Sequence, residues 1–320
     1  MEEPILHYYL KSFSIILVII FLVFVSLFYF LINKELHFKK EVLFIEKGEN
    51  FNNLILNNFY ELSPIEITIF KLFYRINSIY SKKKIHYGHF NIKNTITFIE
   101  LLNVISKPSN ILNKITIVEG WSKKDLYIEL SKYFDEFHIM EYDEIIADTY
   151  FFNKYEKFDK FYLKLIEHKE KYISNIKNNI FMDKYTIEEL FIIGSLIEKE
   201  GLNYFDKKQI SSVIINRLND KIKLQIDATV IFALTNGNYN LGRKLNYSDL
   251  KVQHPYNTYV INGLPPGPIA YVGTKTIELI LENYKTDFLF YFFNENYNKH
   301  IFSKNFKEHK RKLREYRNDK

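Results

Sequence analysis

A chain of 320 residues accommodates a membrane anchor and one or two folded domains, since single folded units run about 100 to 200 residues. Having no cysteine, it excludes disulfides, thiol catalysis and thiolate zinc sites; its net charge of +6, with 44 basic residues interleaved among 38 acidic ones, implies no more than a mild attraction to anions. The 29 Phe and 25 Tyr beside 10 Gly reflect a compositional bias toward Ile, Lys, Asn, Phe and Tyr, so counts of aromatics or lysines carry no functional argument.

Between Lys11 and Lys34 the chain carries no charge, and Phe13 to Ile32 is apolar except for Ser14, Ser26 and Tyr29. At about 1.5 Å per residue this run spans the roughly 30 Å hydrocarbon layer of a bilayer. It continues through Phe28, Tyr29, Phe30, Leu31 and Ile32 without a small-residue cleavage site, which predicts an uncleaved anchor over 12–33 after a short N-terminus, 1–11. Lys34, Lys39 and Lys40 follow the span and only Lys11 precedes it; the positive-inside rule alone places the large domain in the cytoplasm.

Beyond the anchor, 41–107 reads as a small α+β module. Val42 to Ile45 predicts a strand, Lys47-Gly48-Glu49-Asn50 a turn, and Phe51, Leu54, Ile55 and Phe59 a helix. A second helix begins at Ser63-Pro64 with Glu66 near its N-terminal end, a strand is expected over His86–Ile92, and a helix over Thr95–Ile105. A larger α+β unit is expected over 112–320. There Ser122 is placed to cap a helix over Lys123–Phe134, and Tyr155 to Asn179 has the spacing of a long amphipathic helix.

Chemistry concentrates in three segments. Thr186 with Glu189 forms a capping-box pattern for a helix that delivers Glu198, Lys199 and Glu200, with the two glutamates on opposite flanks of an apolar face. A carboxylate beside such a face is partly desolvated, which suits a general acid, although a solvated Glu-Lys-Glu has the same spacing. Lys221 to Asp227 alternates as a strand does, placing Gln225 and Asp227 on one face with Thr229 continuing it. From Pro255 to Pro268 lie four of the seven prolines, stiffening a loop that carries Tyr256, Asn257, Thr258 and Tyr259, residue types suited to sugar binding or to a plain turn-rich connection. No cofactor or metal is called for: His86 and His89 lack further ligands at metal spacing. The basic tail from Lys304 to Lys320 contains Glu308, Glu315 and Asp319 and reads as a solvated helix face, not a nucleic-acid arm.

Together, Ser195-Leu196-Ile197-Glu198-Lys199-Glu200, Val213-Ile214-Ile215-Asn216-Arg217-Leu218, Leu224-Gln225-Ile226-Asp227-Ala228-Thr229-Val230 and Tyr256-Asn257-Thr258-Tyr259 with Gly263-Leu264-Pro265-Pro266-Gly267 resemble the endolytic murein transglycosylases of the YceG-like family. The resemblance extends to Val118-Glu119-Gly120, Asp148-Thr149-Tyr150, His300, Phe302 and His309, and departs from the usual pattern at Gly201 and Tyr271-Val272. It implies a single-pass protein of the bacterial inner membrane whose large part lies outside the cytoplasm. It also implies a LysM-like module, which Gly48, Glu49 and Asn50 fit, before a catalytic domain over 112–320. The essential acid is then Glu200, with Glu198 the second choice, and Asn216, Gln225, Asp227, Thr229, Tyr256, Asn257, Thr258 and Tyr259 are substrate-binding candidates. The implied partners are peptidoglycan glycan strands, the membrane and cell-wall synthases, with no nucleic acid. Three rival readings stand beside it: within the resemblance, a hydrolytic muramidase pairing Glu200 with Asp227 or a non-catalytic peptidoglycan-binding scaffold, and, from the basic tail and the charges around the span, a cytoplasmic nucleic-acid binder.

Overall fold

A computed structural model describes residues 3–40, 42–46, 48–60, 62–81, 84–93, 95–109, 111–154, 156–177 and 184–318. The first helix, α1 (Glu3–Ile32), contains a stretch, Phe13–Ile32, long and apolar enough to cross a membrane. The rest of the chain is mixed α+β and gathers into two units, residues 1–113 with 152–155 and residues 114–151 with 156–320.

In the smaller unit β1 (Glu35–His37) pairs antiparallel with β4 (Thr95–Thr97), and β2 (Val42–Ile45) with β3 (Gly88–Asn91). Three helices, α2 (Phe51–Asn58), α3 (Pro64–Ser81) and α4 (Phe98–Ile105), close a core that includes Leu43, Leu54, Phe70, Phe90 and Phe98. The expected turn holds at Gly48, whose φ of 83° lies in the left-handed region, and at Asn50, whose side chain accepts from Asn52 N–H and caps α2; Lys47 lies outside the described residues. The helix expected from Thr95 starts instead at Phe98. Thr97 is its cap, bonded reciprocally with Glu100, and the β-branched Thr95, Ile96 and Thr97 pair with β1, a strand that lacked a signal of its own in the sequence.

β5 (Leu112–Thr116) pairs with β6 (Thr149–Asn153). Ser122 caps α5 (Lys123–Leu130) through a capping box with Asp125, as its position predicts, and the helix ends four residues earlier than expected. The long amphipathic helix is α6 (Phe158–Ile176); of its expected ends, Tyr155, Asn178 and Asn179 lie outside the described residues. At the centre is α7 (Ile187–Glu200), capped by Thr186 and Glu189 as expected and buried without interruption from Leu190 to Ile197. It packs on α8 (Tyr204–Asn219), α9 (Asp227–Thr235) and α10 (Thr274–Leu281). Gly194 is required there: a Cβ would come within 2.6 Å of a Val272 methyl. One position on, Ser195 Oγ accepts the Ile269 N–H at 2.9 Å, so α7 grips the 269–272 segment by shape and by hydrogen bond.

The strand expected from Lys221 to Asp227 does not form. Lys221 and Gln225 adopt φ of 56° and 51°, outside any strand, and Asp227 opens α9. The alternation of burial survives, with Leu224 and Ile226 inside and Gln225 and Asp227 outside, because a short irregular segment lying on a core can alternate without a ladder. The chain closes with the antiparallel hairpin β7 (Phe290–Asn294) and β8 (Lys299–Ser303), followed by α11 (Phe306–Asn318), which has no buried residue; Asp319 and Lys320 lie outside the described residues.

Candidate active site

Glu200 is the last residue of α7, where the helix presents its negative end to a carboxylate and disfavours charge. Its surface is only partly closed, yet the carboxyl lies deep enough that burial dominates and raises its pKa above the ordinary glutamate value. Three groups oppose that shift: the Tyr291 hydroxyl, which donates to Oε2 at 3.1 Å, the nearby His300, and the Ala228 backbone N–H. Asp227, also nearby, adds to it by like-charge repulsion. The balance leaves an acid that holds its proton longer than a solvated glutamate does.

Asp227 occupies the opposite kind of helix end, the first turn of α9, which favours negative charge. Its Oδ1 accepts from Tyr259 Oη at 2.6 Å. Tyr259 and Tyr291 are both pushed upward by burial first and by the neighbouring carboxylates after it, so each remains a hydrogen-bond donor. Arg217 sits behind both tyrosines, buried, with its guanidinium bound to the carbonyls of Leu289, Lys223 and Leu224 and stacked 5.1 Å from the Phe290 ring. Burial lowers its pKa.

Glu198, two residues before Glu200, has a different environment. Its side chain is 1% exposed and ion-paired at 2.5 Å with Lys207, and its Oε1 has no hydrogen-bond partner among the described residues. Lys199 between them donates to the Gly120 carbonyl at 3.3 Å and lies 3.6 Å from the Tyr239 ring centroid.

The other sequence candidates divide between the site and its framework. Tyr259 joins Glu200 and Asp227. Thr229 and Thr258 are fully buried, their hydroxyls 2.9 Å apart, and Thr258 Oγ1 accepts the Ile226 N–H, which locks the start of α9 to the proline-rich loop. The amide of Asn257 is spent on Leu250 and Val252 carbonyls and on the Tyr259 N–H, and that of Asn216 on the carbonyls of Thr286 and Phe288. Tyr256 packs on Phe232 with ring centroids 4.6 Å apart, and Gln225 is exposed. The broad hollows lined by Tyr162 and Lys169 and by Tyr185 and Leu264 do not include Glu200.

Sequence reasoning missed Tyr291, the role of Arg217 and the pairing of Asp206 with His300, a residue quoted in the resemblance without a role, whose imidazole Nδ1 lies 2.9 Å from Asp206 Oδ2. Arg217 stood inside a quoted motif, and a buried-cation role was not read from it. Tyr291 is one of four consecutive aromatics, and only the hairpin decides which of them looks inward.

The fold and this cluster define a mixed α+β protein whose central helix ends in a desolvated carboxyl close to a second carboxylate. The model of the YceG-like family matches residues 43–315, and the chain belongs to that family. It is 36% identical over 152 residues to the endolytic murein transglycosylase of Bacillus subtilis (strain 168), a match covering 48% of this chain and 41% of the relative. It is 32% identical over 150 residues to the protein of the same name from Streptococcus pneumoniae, covering 47% of this chain and 26% of the relative. The chain thus spans less than half the length of these curated relatives. The crystal structure of a YceG-like protein from Listeria monocytogenes has the same fold, with a TM-score of 0.54 at 22% identity over 87% of this chain and 99% of that one.

Proposed function

We propose that the protein is a membrane-anchored endolytic peptidoglycan transglycosylase in which Glu200 is the general acid and then the general base. The observation that carries this reading is the setting of Glu200: a carboxyl at a helix C-terminus whose burial raises its proton affinity, bonded by Tyr291 and close to Asp227, which Tyr259 bonds in turn. Pairs of carboxylates in contrasting surroundings are how one site holds an acid and an anion together. The names of the curated relatives support the substrate class.

In this mechanism Glu200 donates its proton to the oxygen between N-acetylmuramic acid and N-acetylglucosamine, and the N-acetylglucosamine leaves with a free hydroxyl. Positive charge develops at the muramoyl C1, which the Asp227 carboxylate stabilises. The Glu200 carboxylate then takes the proton of the muramoyl C6 hydroxyl as O6 closes on C1, giving a 1,6-anhydro end and regenerating the acid. Acid–base assistance of this kind contributes about 10² to 10⁴-fold, and the fixed donors and Asp227 supply electrostatic stabilisation. A hydrolytic muramidase is the second reading, favoured by the electrostatic coupling of Asp227 to Glu200, and it requires water in place of O6.

In the same proposal α1 is a single-pass anchor, 41–107 is a LysM-like module that binds glycan, and 112–320 is the catalytic domain, exposed outside the cytoplasmic membrane. That orientation runs against the bias of Lys34, Lys39 and Lys40, which a large translocated domain overrides. Cleavage of nascent strands beside cell-wall synthases would then limit strand length.

The test is mass spectrometry of the fragments released from purified peptidoglycan by the detergent-solubilised chain and its Glu200→Gln variant. Ends in 1,6-anhydro-N-acetylmuramic acid, lost in the variant, are expected. Reducing ends would make the protein a hydrolase, and glycan binding without release would make it a scaffold.

A further inference from the structure

The face of the β7–β8 hairpin that carries Tyr291 also carries His300. Tyr291 stands opposite Phe302 and Phe293 opposite His300, so alternation puts these side chains on one side. Two of them reach polar partners on consecutive helices. The Tyr291 hydroxyl meets Glu200 at the end of α7, and His300 Nδ1 meets both oxygens of Asp206 on α8, at 2.9 and 3.1 Å. The tyrosine and imidazole rings are perpendicular, with centroids 5.3 Å apart.

The Asp206–His300 pair is sealed, with side chains only 9% and 6% exposed. Asp206 is itself pinned, because its Oδ2 accepts the Leu202 N–H at 3.0 Å and its own N–H is capped by Asn203. Those residues form the turn that begins directly after Glu200. The turn, the aspartate, the histidine, the tyrosine and the acid therefore form one closed circuit of contacts.

A buried aspartate accepting from Nδ1 fixes the imidazole tautomer, with the proton on Nδ1, and sets the orientation of the ring. Desolvating such a pair is costly unless its geometry is good and further hydrogen bonds satisfy it, as the Leu202 N–H does for Asp206. The charged or titratable groups around Glu200 are Tyr291 on β7, His300 on β8, Asp227 on α9, Tyr259 in the proline-rich loop and Arg217 on α8 beyond the tyrosines. Of these, Tyr291 and His300 act directly on Glu200 in favour of its carboxylate form.

We propose that Asp206 and His300 are positioning residues for Glu200: Asp206 orients the imidazole, and the imidazole holds the Tyr291 hydroxyl on the acid and stabilises the carboxylate left after proton donation. The proposal rests on Glu200 as the acid, and it assigns the hairpin an electrostatic function in addition to packing.

The test uses the full chain in detergent with Asp206→Asn, which keeps size and the turn contact, His300→Phe, which keeps a ring against Tyr291, and His300→Asn, which keeps a donor for Asp206. Two quantities are read: the midpoint of the infrared carboxyl band that Glu200→Gln removes, and the pH dependence of fragment release. Asp206→Asn and His300→Phe are expected to raise the Glu200 midpoint and move the alkaline limb of activity upward with it. Each should lower kcat about tenfold while leaving KM nearly unchanged. His300→Asn should recover the melting temperature of the parent without recovering the midpoint. In a Tyr291→Phe background, His300→Phe should add less to the shift than it does alone.

An unchanged midpoint and limb in variants that remain folded would overturn the proposal and leave the pair as a brace of the fold. Recovery of the parental midpoint by His300→Asn would overturn it too, since the Asp206 contact alone would then suffice. Release that survives Glu200→Gln would instead remove the catalytic reading, while the midpoint would still decide whether the pair governs the acid.

Discussion

Glu198 and Glu200 sit two residues apart on the last turn of one helix and have different chemistry because of what lies opposite each. Glu198 faces Lys207 and is neutralised by an ion pair with its side chain sealed from water. Among the described residues no cation lies at bonding distance from Glu200; a tyrosine hydroxyl, a backbone N–H and the neighbouring Asp227 surround it, and burial raises its proton affinity. Rotation of about 200° along α7 separates the two environments, so the same side chain becomes a structural anion on one flank and an acid on the other.

This contrast can be broken experimentally, and the largest effect falls on Glu200. Glu200→Gln should lower kcat for fragment release by about 10² to 10⁴-fold, the range for loss of a general acid, with the folded structure retained by circular dichroism. If Glu198→Gln abolishes release to the same extent and Glu200→Gln does not, the assignment of the two carboxylates is reversed.

Glu198→Gln should act on stability. It removes the charge that pairs with the mostly buried Lys207 ammonium, at a cost of about 1–3 kcal/mol, read as a lower denaturant midpoint with an unchanged m-value. Its kcat should stay within a few-fold of the parent's.

The smallest effect is a matter of sign. Because the carboxyl of Glu200 is raised, the folded chain keeps a proton there that the unfolded chain releases. The stabilisation this provides is complete below the ordinary glutamate range and fades as pH rises through the raised value. Glu200→Gln lacks that dependence, so its melting temperature should gain on the parent as pH increases, by roughly 2–4 °C for each kcal/mol involved. A constant difference across that window would mean that Glu200 titrates as a solvated glutamate.

Local chemistry was legible in the sequence. The apolar run of α1, the N-cap at Ser122, the capping box at Thr186 and the turn at Gly48 to Asn50 were read correctly because each depends on residues only a few positions apart. Thr95 to Thr97 and Lys221 to Asp227 were misread because short polar–apolar alternations fit more than one backbone, and the choice fell to a distant strand in one case and to left-handed turns in the other. The amides of Asn216 and Asn257 drew attention as polar groups, yet in the fold they bind backbone carbonyls and hold the framework of the site.

The sequence by itself determined where the helices capped by Ser122 and Thr186 begin, that an acidic block ends the second of them, and which residues could carry acid–base chemistry, since these follow from capping and side-chain type. Only the tertiary structure decided which glutamate is sealed by a lysine and which is left as a desolvated acid. It also brought Tyr291 and His300 across about ninety residues to α7 and α8. A carboxyl's proton affinity is set by burial and by the charges and donors within a few ångströms, and those neighbours come from remote segments whose approach no local pattern records.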